Sequence, residues 1–133
     1  MAIILDADVV IRGEKGLFDL VGWLNSLNPE PLELAAITVA ELWHGVERAD
    51  ASHRNKREDY LRTFLNNISI IPYTEETAYH HARVWAQLES SGKMIGPYDL
   101  IVAATALERD SQLATFNKRH FANVKDLKII EPN

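Results

Sequence analysis

The chain has 133 residues, 47% hydrophobic and 25% charged, enough for one compact domain with a core of its own and too few for two of ordinary size. Zero cysteines exclude disulfides and thiolate metal sites and agree with a reducing cytoplasm, and the apolar runs fall short of the roughly 18 residues a membrane span needs. A net charge of -5 has the wrong sign for bulk electrostatic binding of nucleic acid, so any polyanion must meet a local basic patch or cations held on the acids.

Residues 2–5 read as a short buried strand running into Asp6-Ala7-Asp8, and those acids break the apolar stretch before it can match a secretory leader. Apolar residues at helical spacing predict a helix over 15–27, ended by Asn28-Pro29-Glu30-Pro31. A second strand is expected at 34–37 and a helix at 38–49. A charged helix follows at 52–67, with Tyr60, Leu61, Phe64 and Leu65 as its apolar stripe, then a third strand at 68–72. The long helix over 74–90 carries acids in its first turn, where the dipole favours them. The helix over 97–109 lacks a polar face from Leu100 to Leu107 and must be buried. Strands at 112–115 and 127–130 complete a pattern that predicts a parallel α/β sheet covered on both faces, in a single domain spanning 1–133.

Such sheets bind ligands beyond the carboxyl ends of their strands. Asp6 closes the first strand, Glu41 lies one turn into the helix after the second, and Asp99 opens the buried helix, while Thr115 and Asn117 end the fourth strand. Each acid also has a purely structural reading. Asp6 or Asp8 can cap a helix, Thr38-x-x-Glu41 fits a capping box, and Asp99 can satisfy first-turn amides just after a proline. Taken together, three acids at one sheet edge repel each other unless cations bridge them, and ligands that are all oxygen favour Mg²⁺ or Mn²⁺ over zinc.

Four motifs run in order along nearly the whole chain: Ile3-Ile4-Leu5-Asp6-x-Asp8, Ile37-Thr38-x-Ala40-Glu41-Leu42-x-x-Gly45, Pro97-x-Asp99-x-x-Val102-Ala103-Ala104, and Leu113-Ala114-Thr115-x-Asn117-x-x-x-Phe121. In them the chain resembles PIN-domain ribonucleases, most of all the VapC-type toxins of bacterial toxin–antitoxin pairs. The resemblance implies a three-layer fold around a mostly parallel five-stranded sheet. It also implies that Asp6, Glu41 and Asp99 bind the metal beside Thr115, and that RNA phosphodiester bonds are hydrolysed to leave 5′-phosphate and 3′-hydroxyl ends. Thr115 and Asn117 would position the water or a phosphate oxygen. A cognate antitoxin covering the acids and a homodimer follow from the same resemblance. Two positions depart from the family pattern: Asp8 stands where Ser or Asn is common, and Asn117 where Asp is frequent. Asp8 either restores the charge missing at Asn117 or hydrogen-bonds a helix start, and the number of ions stays open with it.

Among the basic residues, Arg48, His53, Arg54, Lys56, Arg57 and Arg62 read first as a solvated helix face, with Arg48 a candidate RNA contact. Lys118 and Arg119 directly follow Asn117 and read as phosphate contacts. The five histidines lack zinc-ligand spacing and point to surface or partner-facing roles. Trp23, Trp43 and Trp85 read mainly as core. Two other functions compete. Asp6-Ala7-Asp8 after an apolar strand matches the start of haloacid-dehalogenase-like phosphatases, with Asp6 as nucleophile and Asp8 as acid/base, although no later Gly-Asp-x-x-x-Asp type segment follows. The other is a PIN-like module that has lost catalysis and only binds a partner.

Overall fold

The computed structural model describes residues 1–27 and 29–133; of the predicted break at 28–31, Asn28 lies outside the described residues. Strands β1 (Ile3–Leu5), β2 (Leu32–Ala35), β3 (Ser69–Ile71), β4 (Gln112–Ala114) and β5 (Lys128–Ile130) form one sheet in the order β3-β2-β1-β4-β5. All four neighbouring pairs are parallel, so the sheet is parallel throughout rather than mostly so. Helices α1 (Ala7–Glu14), α2 (Leu20–Ser26), α3 (Ala36–Arg48), α4 (Ala51–Leu65), α5 (Glu75–Ser91), α6 (Pro97–Glu108) and the single turn α7 (Lys118–Phe121) supply the crossovers that parallel strands require.

Alternation along the strands divides the core between the two faces. Ile3, Leu5 and Leu34 pack with Val9, Trp23, Leu42 and Leu61 on one side. Ile4, Ala35 and Leu113 pack with Val84, Leu88, Val102 and Ala103 on the other. Helix α6 buries Leu100, Val102, Ala103, Ala104 and Ala106, as its missing polar face demands. Helix α5 starts from a capping box between Thr74 and Thr77 and ends at Gly92 with φ 69°, the left-handed turn that glycine accepts most readily.

The differences from expectation cluster near the acids. No helix is assigned from the sequence directly after β1, although Asp6 or Asp8 can cap one, and the β-branched Val9, Val10 and Ile11 are weak helix formers. Asp6 nevertheless caps α1, and burial of Ala7, Val9 and Val10 outweighs the propensity. Gly13 lets α1 meet α2 closely, since a Cβ there would stand 2.7 Å from Leu20 Cβ. Helix α2 begins only at Leu20, after Gly16 turns the chain at φ 72° and Asp19 caps the new start. Helix α3 begins two residues earlier than expected, at Ala36, and draws β2 back to Ala35. Trp23 is buried, but Trp85 is 50% exposed and stacks on His81. Among the described residues, no helix is long and apolar enough to cross a membrane.

Candidate active site

The strand order steps outward from β1 to β3 and then returns to the far side of β1 for β4. Chains leaving β1 and β4 therefore diverge, and a crevice opens at their carboxyl ends. Asp6, the residue after β1, stands there. Its Oδ1 accepts the Ala7 N–H at 2.8 Å, and its Oδ2 accepts the Thr115 hydroxyl at 2.8 Å. Thr115, the residue after β4, is wholly buried, and its Oγ1 accepts the Asn117 N–H at 2.9 Å. A hydroxyl has one proton, so the 3.5 Å approach of Thr115 to Asp8 adds little. Asp8 Oδ2 instead accepts the Phe116 N–H at 3.2 Å and ties α1 to the turn after β4.

Glu41 reaches the crevice from α3. Because α3 starts at Ala36, Thr38 lies inside the helix and its hydroxyl has no partner among the described residues, so the expected capping box is not formed. Glu41 sits too deep in the helix to reach back to its first amides, and its Oε1 is likewise buried with no hydrogen-bond partner among them. Asp99 enters from the first turn of α6, and its Oδ2 lies 2.7 Å from His120 Nε2. Helix α7 carries His120 to that point, while Asn117, Lys118 and Arg119 around the start of the same turn are exposed.

The acids feel one another. Burial above all, then the neighbouring Asp8 and, more weakly, Asp99, push the Asp6 carboxyl up to about 6 against the opposing Thr115 hydrogen bond. Burial, with Asp6 and Asp99, pushes Glu41 up to about 7. Asp8 is raised as well, chiefly by burial. Two cavities meet at Glu41, of about 400 and 200 Å³. A further cavity, about 600 Å³, lies between α2 and α4 and shares no residue with these acids.

The PIN domain family model matches residues 3–127, a span that holds every one of these acids. The chain belongs to the PIN-domain family. Ribonuclease VapC2 of Haemophilus influenzae (strain ATCC 51907 / DSM 11121 / KW20 / Rd) is 34% identical over 125 residues, 93% of this chain and 92% of the relative. The solved structure of VapBC2 from Rickettsia felis bound to a promoter DNA fragment superposes with a TM-score of 0.93 at 22% identity, covering 100% of both chains. That likeness carries the fold. VapBC-5 of Mycobacterium tuberculosis, from the VapBC family of toxin–antitoxin systems, gives a TM-score of 0.76 at 25% identity over 98% of both chains.

The donors of this PIN domain fit a hard divalent cation. Its acids are raised by burial and by each other, and Glu41 Oε1 and Asp8 Oδ1 are buried oxygens with no partner among the described residues. As the side chains stand, no three His, Asp or Glu groups among the described residues close on one point. Asp6 and Asp99 are each turned towards a protein group instead. His120 departs from its expected surface role. The only sequence signal was its place three residues after Asn117, within reach of one helical turn. Of the first basic stretch, Arg54 pairs with Glu47 and Arg62 with Glu58, as a solvated face would. Arg48 departs from that face and lines the smaller cavity beside Glu41.

Proposed function

We propose that this PIN domain, acting as one domain over residues 1–133, is a metal-dependent endoribonuclease and the toxin of a toxin–antitoxin pair, working in the cytoplasm. The observation that carries the reading is Glu41: an acid raised by burial and by two other carboxylates, with one buried oxygen that has no hydrogen-bond partner among the described residues. Asp6, Glu41 and Asp99 would hold Mg²⁺, or Mn²⁺ in its place, and the ion would supply Lewis-acid chemistry there, activating a water and offsetting phosphate charge. Thr115 acts through Asp6, because its buried hydroxyl spends its proton on Oδ2. Asn117, exposed at the mouth, offers its amide to a phosphate oxygen, and Lys118 and Arg119 offer charge to the RNA backbone. Asp8 supports the turn that carries Thr115 and Asn117 rather than replacing the charge absent at Asn117. His120 positions Asp99. Hydrolysis leaves 5′-phosphate and 3′-hydroxyl ends.

The ribonuclease relative and the toxin–antitoxin structure support an active enzyme with an antitoxin partner over an inactive binding module. An antitoxin that lays basic residues over the acids, and a homodimer of the toxin, belong to the same proposal. A phosphatase reading needs Asp8 free to act on substrate, yet Asp8 Oδ2 holds the Phe116 N–H and Oδ1 is buried. The test is cleavage of end-labelled structured and unpaired RNA with Mg²⁺ or Mn²⁺, then with chelator, beside Asp99→Asn. Cuts should require the metal and fall by about 100-fold or more in the variant. Identical cutting by both proteins would sink the assignment.

A further inference from the structure

Among the described residues four threonines are buried, and three of them spend their hydroxyl proton inside the fold. Thr115 donates to Asp6 at 2.8 Å, Thr77 to Glu108 at 2.7 Å, and Thr105 to the Ile101 carbonyl one helical turn back at 2.8 Å. Thr38 is the fourth. It is 0% exposed, and its Oγ1 has no hydrogen-bond partner among the described residues. Thr105 shows the usual outlet for such a hydroxyl within a helix. Thr38 lacks it because it is only the third residue of α3, so the residue four positions back, Leu34, lies in β2. Packing does not call for a hydroxyl either. Thr38 heads a buried stripe with Leu42 and Val46, where an apolar side chain of the same shape would serve. Three positions on stands Glu41, whose Oε1 is the other unpartnered buried oxygen of this helix. Residues three apart on a helix bring their Cβ atoms within about 5–6 Å. Helical side chains lean back towards the N-terminus, so Glu41 lies over the turn that carries Thr38.

We propose that Thr38 is the positioning residue of Glu41: its hydroxyl donates to the Glu41 carboxylate when that carboxylate holds a cation. The inference rests on the metal-binding reading of Glu41 and deepens it. A carboxylate that gives one oxygen to a cation is fixed in orientation by a donor on the other. Asp6 has such a donor in Thr115, and Asp99 has one in His120. Thr38 completes the set, one donor for each acid. Its proton is held in reserve in the empty site, because nothing else on α3 or β2 claims it.

The test is a calorimetric Mn²⁺ titration of wild type, Thr38→Val and Thr38→Ser, each protein also being melted in chelator. Thr38→Val keeps the shape and removes the donor, and it should bind Mn²⁺ about tenfold more weakly. In chelator the same variant should melt about 3–6 °C above wild type, because the unsatisfied hydroxyl is gone. Thr38→Ser should hold Mn²⁺ as wild type does while melting lower, having lost a buried methyl. Affinity and stability therefore move in opposite directions, which a packing role alone would not produce. Wild-type Mn²⁺ affinity in Thr38→Val, weakened affinity in Thr38→Ser as well, or a Thr38→Val that melts below wild type would each overturn the proposal. Wild type that binds no Mn²⁺ would instead overturn the metal-binding reading on which it rests.

Discussion

Glu41 shows how much one residue's depth in a helix decides. Placed four residues into a helix beginning at Thr38, it would satisfy backbone amides; with the start at Ala36 it becomes an unsatisfied acid facing Asp6 and Asp99. Its carboxyl titrates near 7 in the folded chain and near 4.5 when unfolded, so the folded state keeps a proton that the unfolded state has released. The stability this proton contributes is complete below about 4.5 and is lost as pH rises through about 7. Glu41→Gln should therefore melt higher than wild type at pH 7.5 in chelator, by about 1–2 kcal/mol once solvent exposure is discounted. The two melts should converge at pH 4.5, and adding Mn²⁺ at pH 7.5 should stabilise wild type more. Coincident melting curves in chelator at pH 7.5 would remove Glu41 from the coupled set.

At the scale of elements, α1 and α7 carry what the sequence pattern did not display. The run Val9-Val10-Ile11 is β-branched and a weak helix former, and burial of Val9 and Val10 under the sheet holds it helical. Four residues of α7 are too few for a periodic signal, yet that turn brings His120 to 2.7 Å from Asp99 while Phe121 anchors it in the core. A partner that fixes a metal-binding carboxylate typically alters metal affinity when removed, by about 10- to 100-fold. His120→Ala should weaken Mn²⁺ binding by about tenfold in a direct calorimetric titration, and His120→Gln, which keeps a donor, should recover part of it. Equal Mn²⁺ affinity in all three proteins would reduce His120 to a surface residue. By contrast, helices α6 and α5 were legible, because continuous apolarity and acids in a first turn are local signals.

Across the whole molecule, the sheet is clamped on its second strand by an ion pair that sequence reading did not single out. Glu33 is buried on β2 and takes two hydrogen bonds from the Arg109 guanidinium, just past α6, with Ser111 Oγ 3.3 Å from its Oε1. Arg109→Met would strand a buried carboxylate and should cost about 2–3 kcal/mol in urea unfolding, below the figure for a fully buried pair because the guanidinium is partly solvated. Replacing both, as Glu33→Leu with Arg109→Met, should recover most of the loss; a double variant as weak as the single one would refute the pairing argument. The pair was invisible because its members lie 76 positions apart and neither stands in a motif. The same reason divides the rest of the molecule. Local chemistry in the sequence determined the alternation of strands and helices, the buried face of α6, the oxygen-only donors, and the motifs that carry Asp6, Glu41 and Asp99. The tertiary structure alone decided that β4 returns beside β1, that Thr115 meets Asp6 across 109 positions, and that His120 turns to Asp99. Those contacts join segments whose closeness depends on the packing of the whole sheet, which no local pattern encodes.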